Sequence, residues 1–108
     1  MEKPNLKKLI PEIVRRLLFE EDIKRLILFG STVQGTINKD SDLDLIVIKN
    51  SLTSKYQEMI RLRRMLKGLG IPIDLLVISS TEFDEKIKST SNIYSWANKS
   101  GKIIYDSF

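Results

Sequence analysis

Leu26-Ile27-Leu28-Phe29-Gly30-Ser31 and, after ten intervening residues, Asp42-Leu43-Asp44-Leu45-Ile46-Val47-Ile48 decide how this 108-residue chain reads. Each is an apolar run of strand length. The first is stopped by a glycine-serine turn, and the second opens on two aspartates. A third run, Ile73-Asp74-Leu75-Leu76-Val77-Ile78, carries another aspartate near its start. Carboxylates set in strand-like apolar sequence are expensive to desolvate, and like charges close together add to the expense. A divalent cation is the simplest compensation. A Gly-Ser turn beside such a cation suggests phosphate chemistry.

Asp42 and Asp44 are two residues apart, so in a strand they point to one face, with Cα atoms roughly 6.6 Å apart. Side chains from those points can converge on one ion or on a pair about 3.5–4 Å apart, as in two-metal phosphoryl transfer. Asp74 enters the third strand about where Asp44 enters the second. If those strands are neighbours, the three carboxylates form one cluster. The simpler reading of Asp42 and Asp44 is a turn and a strand entrance with exposed heads. Asp74 is harder to explain that way, because strand interiors disfavour aspartate.

Gly30 follows a strand, and glycine lets a phosphate approach the backbone closely. Ser31 is placed to begin a short helix over Thr32 to Ile37, whose free N–H groups suit phosphate oxygens. Ser31-Thr32-Val33-Gln34 is also a capping box, and a capped start can still present N–H groups to a ligand. The Gly-x-x-x-x-Gly-Lys-Ser/Thr of a P-loop and the Gly-x-Gly-x-x-Gly of a dinucleotide fold are both missing.

The length fits one domain over residues 1–108, and a 42% hydrophobic content supports a single modest core. With no cysteine there is no disulfide framework or thiol chemistry, and with no histidine there is no Ser-His or Cys-His arrangement. Any metal must therefore be held by oxygen, which favours magnesium or manganese. The net charge of +4 suits an anionic ligand without establishing nucleic-acid binding. Lys55, Arg61, Arg63, Arg64 and Lys67 read as a solvated helix face. No aromatics alternate with them as on a single-strand stacking platform, so direct nucleic-acid binding is not expected. Met1-Glu2-Lys3-Pro4 lacks an apolar signal core, and no apolar run approaches the roughly 20 residues that span a bilayer. The expectation is a cytoplasmic chain without membrane contact, its homo-oligomeric state left open.

Around these motifs, apolar spacing predicts a helix from Pro11 to about Glu20, following Leu6, Leu9 and Ile10. Strands are predicted over Lys24 to Phe29, Leu43 to Ile48, Ile73 to Ile78 and Lys102 to Tyr105. The continuous apolar character of the second implies burial on both faces. Asn38-Lys39-Asp40-Ser41 is turn sequence. Leu52, Tyr56, Met59, Leu62, Leu66 and Leu69 form a stripe over about five helical turns, ended by Gly68 and Gly70. Ser79-Ser80-Thr81-Glu82 caps a helix to about Ser89, and a further helix covers Asn92 to Ala97. Tyr94, Trp96 and Tyr105 read as core or interface residues, with core the favoured use. Strands alternating with helices give an α/β class, a small mixed sheet of about four strands flanked by helices.

The string Leu28-Phe29-Gly30-Ser31-Thr32-Val33-Gln34-Gly35, then Ser41-Asp42-Leu43-Asp44-Leu45-Ile46-Val47, resembles the polymerase-beta-like nucleotidyltransferase superfamily. Within it, the chain is similar to the minimal nucleotidyltransferases, many of them antitoxins encoded beside a HEPN-domain toxin. The resemblance extends to Asp74 and to a closing strand like Lys102-Ile103-Ile104-Tyr105-Asp106. It implies the nucleotidyltransferase fold, metal on Asp42 and Asp44, and Asp74 as the third carboxylate, helping to activate an acceptor hydroxyl. It also implies nucleotide-phosphate contacts at Gly30 and Ser31. Minimal members commonly carry arginine where this chain has Gln34, and a neutral amide offers a phosphate no charge. The implied reaction moves AMP from ATP, or another nucleotide from its triphosphate, to a hydroxyl, plausibly a tyrosine of a HEPN toxin. The alternative is a non-catalytic module that neutralises a toxin by binding it.

Overall fold

The computed structural model describes residues 6–19, 22–30 and 42–107. Their elements run α1 (Leu6–Leu17), β1 (Ile23–Phe29), β2 (Leu43–Lys49), α2 (Lys55–Met65), β3 (Ile73–Ser79), α3 (Ser80–Lys86), α4 (Ile93–Ser100) and β4 (Lys102–Asp106). The strands form one mixed sheet in the order β3-β2-β1-β4. β1 is antiparallel to both β2 and β4, whereas β2 and β3 are parallel. A parallel pair needs a crossover, and α2 supplies it.

Alternation along the strands divides the core in two. Leu26, Leu28, Leu43, Leu45, Val47, Leu75 and Val77 face α1 and α2, where Leu9, Ile13, Leu17 and Leu62 meet them. Ile27, Phe29, Ile46, Ile48 and Ile78 face α3 and α4, where Phe83 and Ala97 meet them. β2 is thus covered on both sides, as its apolar run implies. All four predicted strands are present, each within a residue or so of its expected ends.

The expected bounds of all four described helices need correction. α1 begins at Leu6, and Pro11 lies inside it on the exposed side. A proline there removes one backbone bond. Burial of Leu9, Ile13 and Leu17, spaced one helical turn apart, holds the helix together regardless. α1 ends at Leu17, short of Glu20, which lies outside the described residues. α2 has 11 residues rather than five turns. Ser54 caps its start, accepting from the Gln57 N–H at 3.3 Å, and Gly68 and Gly70 turn the chain at positive φ beyond its end. Leu52 and Leu69 still pack on the core from outside the helix, while Tyr56 is 69% exposed. An apolar stripe reports what is buried, not how far the helix continues. α3 stops at Lys86, and α4 extends to Ser100. The helix expected over Thr32 to Ile37 and the turn at Asn38 to Ser41 lie outside the described residues.

One polar tie crosses the first core. Lys49, at the end of β2, donates from Nζ to Glu58 of α2 at 2.5 Å, with both side chains largely buried. Burial raises the Glu58 carboxyl, but hydrogen bonding and charge from Lys49, with Arg61 beside it, outweigh burial and hold it below its ordinary 4.5. A carboxylate depressed in the folded state contributes stability above its unfolded pKa and loses it as pH falls through the folded value. Wild type should therefore lose stability as pH falls below 4.5. Glu58→Gln should be less stable near neutrality and flatter across that acid limb. Urea unfolding from pH 7 to pH 3 checks this, and parallel curves for the two proteins would contradict it.

Candidate active site

The carboxylates are brought together by register. In the parallel β2–β3 pair, Asp44 lies opposite Asp74, and in the antiparallel β1–β2 pair, Asp44 lies opposite Phe29. Asp74, Asp44 and Phe29 thus form a row across three strands. Alternation puts that row on the α3/α4 face with Ile46, Ile48 and Ile78. Asp42 stands just before β2, two residues from Asp44. Asp42 and Asp74 are exposed and Asp44 is half-buried, so the row sits where the apolar face opens to solvent.

Gly30 completes this corner. Its φ is +87°, a conformation other residues rarely adopt, and a Cβ placed on it would overlap Asp44 Oδ2. Glycine is needed twice over: for the turn that ends β1, and for the close passage of backbone beside the carboxylate. Burial, then the charge of Asp74, then that of Asp42 push the Asp44 carboxyl above the usual carboxylate range. A cation beside Asp44 would offset all three causes. Among the described residues no three acidic, histidine or cysteine side chains are gathered tightly enough to hold an ion by themselves. Asp44 nevertheless lies opposite Asp74 in the sheet, and the charges of Asp74 and Asp42 both act on it. Hard oxygen donors of that kind suit magnesium or manganese with further oxygens from phosphate and water.

Two aromatics join the row that the sequence reading did not place there. Phe29 is the cross-strand partner of Asp44. Trp96 of α4 meets Phe29 edge-on, with ring centroids 6.1 Å apart and planes at 84°. Contrary to the core expectation, Trp96 is 50% exposed, because α4 turns its small residues, Ser95 and Ala97, inward. Tyr94 and Tyr105 are half-buried, in keeping with a packing role. The position of Phe29 before Gly30 was a usable signal; nothing in the local sequence pointed to Trp96. Ser31 and Gln34 lie outside the described residues. Among those described, no helix is long and apolar enough to cross a membrane.

The family model for the nucleotidyltransferase domain matches residues 7–97, which includes Gly30 and all three aspartates. The chain belongs to that family. Solved structures agree on the fold of this nucleotidyltransferase domain. A toxin–antitoxin structure with AMP-PNP superposes with a TM-score of 0.67 at 20% identity, covering 91% of this chain and 73% of the other. A MntA–HepT toxin–antitoxin structure gives 0.61 at 16% identity, covering 94% and 73%. A structure from Sulfolobus solfataricus, described as a candidate nucleotidyltransferase, gives 0.62 at 16% identity, covering 94% and 80%. No curated protein sequence matches the chain.

The Gly30 geometry has a measurable consequence. Gly30→Ala should lose about 1–3 kcal/mol for the positive φ alone, with a further loss from the overlap with Asp44. Urea unfolding should show the loss shrinking when Asp44 is already alanine. An equal loss in both backgrounds would mean the Asp44 carboxylate moves aside freely.

Proposed function

We propose that the chain is a metal-dependent nucleotidyltransferase that moves a nucleoside monophosphate, AMP from ATP, to a hydroxyl on a partner protein. The single observation that carries this reading is the row of Asp44 against Asp74 beside a glycine that no other residue can replace without displacing Asp44. Family membership supplies the reaction class.

Magnesium or manganese on Asp42 and Asp44, with Asp74 alongside, would supply positive charge to the triphosphate. The chain's own residues do the rest by position. Gly30, at the end of β1, and Ser31 after it are the phosphate contacts. Asp74, on the exposed side of the row, takes the proton of the acceptor hydroxyl. The acceptor oxygen bonds to the α-phosphorus, the bond from that phosphorus to the bridging oxygen breaks, and pyrophosphate leaves. Catalysis of this kind is mainly positioning and charge neutralisation.

The acceptor we favour is a tyrosine on a HEPN-domain toxin, which makes the protein an enzymatic antitoxin acting in the cytoplasm. Similarity to toxin–antitoxin structures, one of them with AMP-PNP, supports that choice. Gln34 gives one reason to keep a second reading, a module that neutralises its toxin by binding alone, since an amide cannot offset phosphate charge.

Metal binding should raise thermal stability, because a ligand held only by the folded state stabilises it. Magnesium or manganese should shift the melting temperature of wild type, and Asp44→Asn should abolish the shift. The same shift in both proteins would place the metal elsewhere. For the reaction, co-expression with the cognate toxin should leave the toxin heavier by one AMP, read by intact mass. Asp42→Asn and Asp74→Asn should each remove that modification while staying folded. Full neutralisation by both variants, with no AMP on the toxin, would favour the binding module.

A further inference from the structure

We propose that Trp96 is the platform on which the base of the bound nucleoside triphosphate stacks. The inference rests on the nucleotidyltransferase reading above and adds a substrate-positioning residue to it. Trp96 is the only tryptophan in the chain. α4 buries Ser95 and Ala97 on either side of it and leaves the indole 50% exposed. Hydrophobic burial alone favours the reverse, with the largest apolar side chain inside. Ile93, one turn earlier, is also 45% exposed, so the apolar surface continues along this side of the helix.

The location of the ring gives the exposure a use. Phe29 separates Trp96 from Asp44, and the edge-on contact at 6.1 Å steadies the indole beside the end of β1. Through Phe29 the indole is linked to the strand position opposite Asp44. Gly30, a phosphate contact in the proposed reaction, directly follows Phe29 in the chain. A triphosphate seated there carries its own base to the same corner of the sheet. α4 is held close to that corner because Gly101, which links it to β4, has no room for a Cβ against Ile27 Cγ2 and the Leu28 carbonyl. Stacking on an aromatic face is tolerant of base identity. Trp96 would thus strengthen binding of any nucleoside triphosphate over inorganic tripolyphosphate without choosing among the bases.

The lone tryptophan makes the test direct. The full chain is titrated with MgATP, MgGTP and magnesium tripolyphosphate while indole emission is followed, and affinities are measured by calorimetry for wild type, Trp96→Phe and Trp96→Ala. Both nucleotides should change the emission, and tripolyphosphate should not. Trp96→Ala should weaken MgATP by roughly 5- to 150-fold and leave tripolyphosphate unchanged, while Trp96→Phe keeps most of the affinity. If Trp96→Ala does not fold, the emission of wild type and the affinity of Trp96→Phe decide. MgATP binding to wild type with unchanged emission, and equally to Trp96→Ala, would overturn the stacking role and leave the triphosphate site standing. Emission that responds to the cognate toxin but not to MgATP would overturn it in favour of a protein contact. Wild type that binds none of the three ligands would remove the nucleotidyltransferase reading itself.

Discussion

Asp44 and Asp74 sit side by side because β2 and β3 pair in parallel with Asp44 opposite Asp74. The same register sends Leu43, Leu45, Val47, Leu75 and Val77 into the core under α1 and α2. A slip of one residue in either strand would reverse every side chain. An aspartate would enter the leucine-lined core, and apolar residues would leave it. The juxtaposition of like charges is therefore not free to relax. It is locked by a burial term drawn from two whole strands, far larger than the local repulsion at their first turns. The fold limits that repulsion by placing it at the strand entrances, where Asp42 and Asp74 reach water and only Asp44 is half-buried.

This arrangement explains why the corner is built from backbone as much as from side chains. Asp44 cannot move toward α1 and α2 without breaking register, and its carboxylate lies directly against Gly30. Phe29 closes the side toward β1, and Trp96 closes the side beyond Phe29. Burial, the largest cause, and the charges of Asp74 and Asp42 oppose ionisation of Asp44, and a cation bound there would offset them.

The strands and the pair of aspartates were legible in the sequence because apolar runs between glycine and polar turns have few other readings. The alternation that buries β2 on both faces was legible for the same reason. The juxtaposition of Asp44 and Asp74 was legible only conditionally, since neighbouring strands had to be assumed. Pro11 and α2 show the limit of local signals. Tertiary packing carried the first helix through a proline, and apolar residues outside the second helix extended its stripe. Trp96 was misread because composition argues that a small domain buries its aromatics. The exposure of one ring depends on which side of an eight-residue helix meets β1, and Ser95 and Ala97 won that contact.

The distribution of charge bears on how such a corner meets an anionic substrate. The chain carries a net +4, yet three carboxylates gather on the α3/α4 face. Arg63, Arg64 and Lys67 are exposed on and just beyond α2, which covers the opposite face through Leu62 and Leu66. At long range a triphosphate is therefore drawn toward the protein, and at short range the aspartates repel it. No histidine is available to soften that repulsion by titrating near neutrality. In the proposed reaction the cation resolves the conflict, since carboxylates and phosphates are both acceptors and neither can hold the other without it. In that reaction metal and nucleotide would bind this corner most favourably as one complex, each raising the affinity for the other. The same reasoning gives Trp96 its value. A base stacked there would be held by a contact that the aspartate charges do not oppose, and would retain the nucleotide while its phosphates are brought into place.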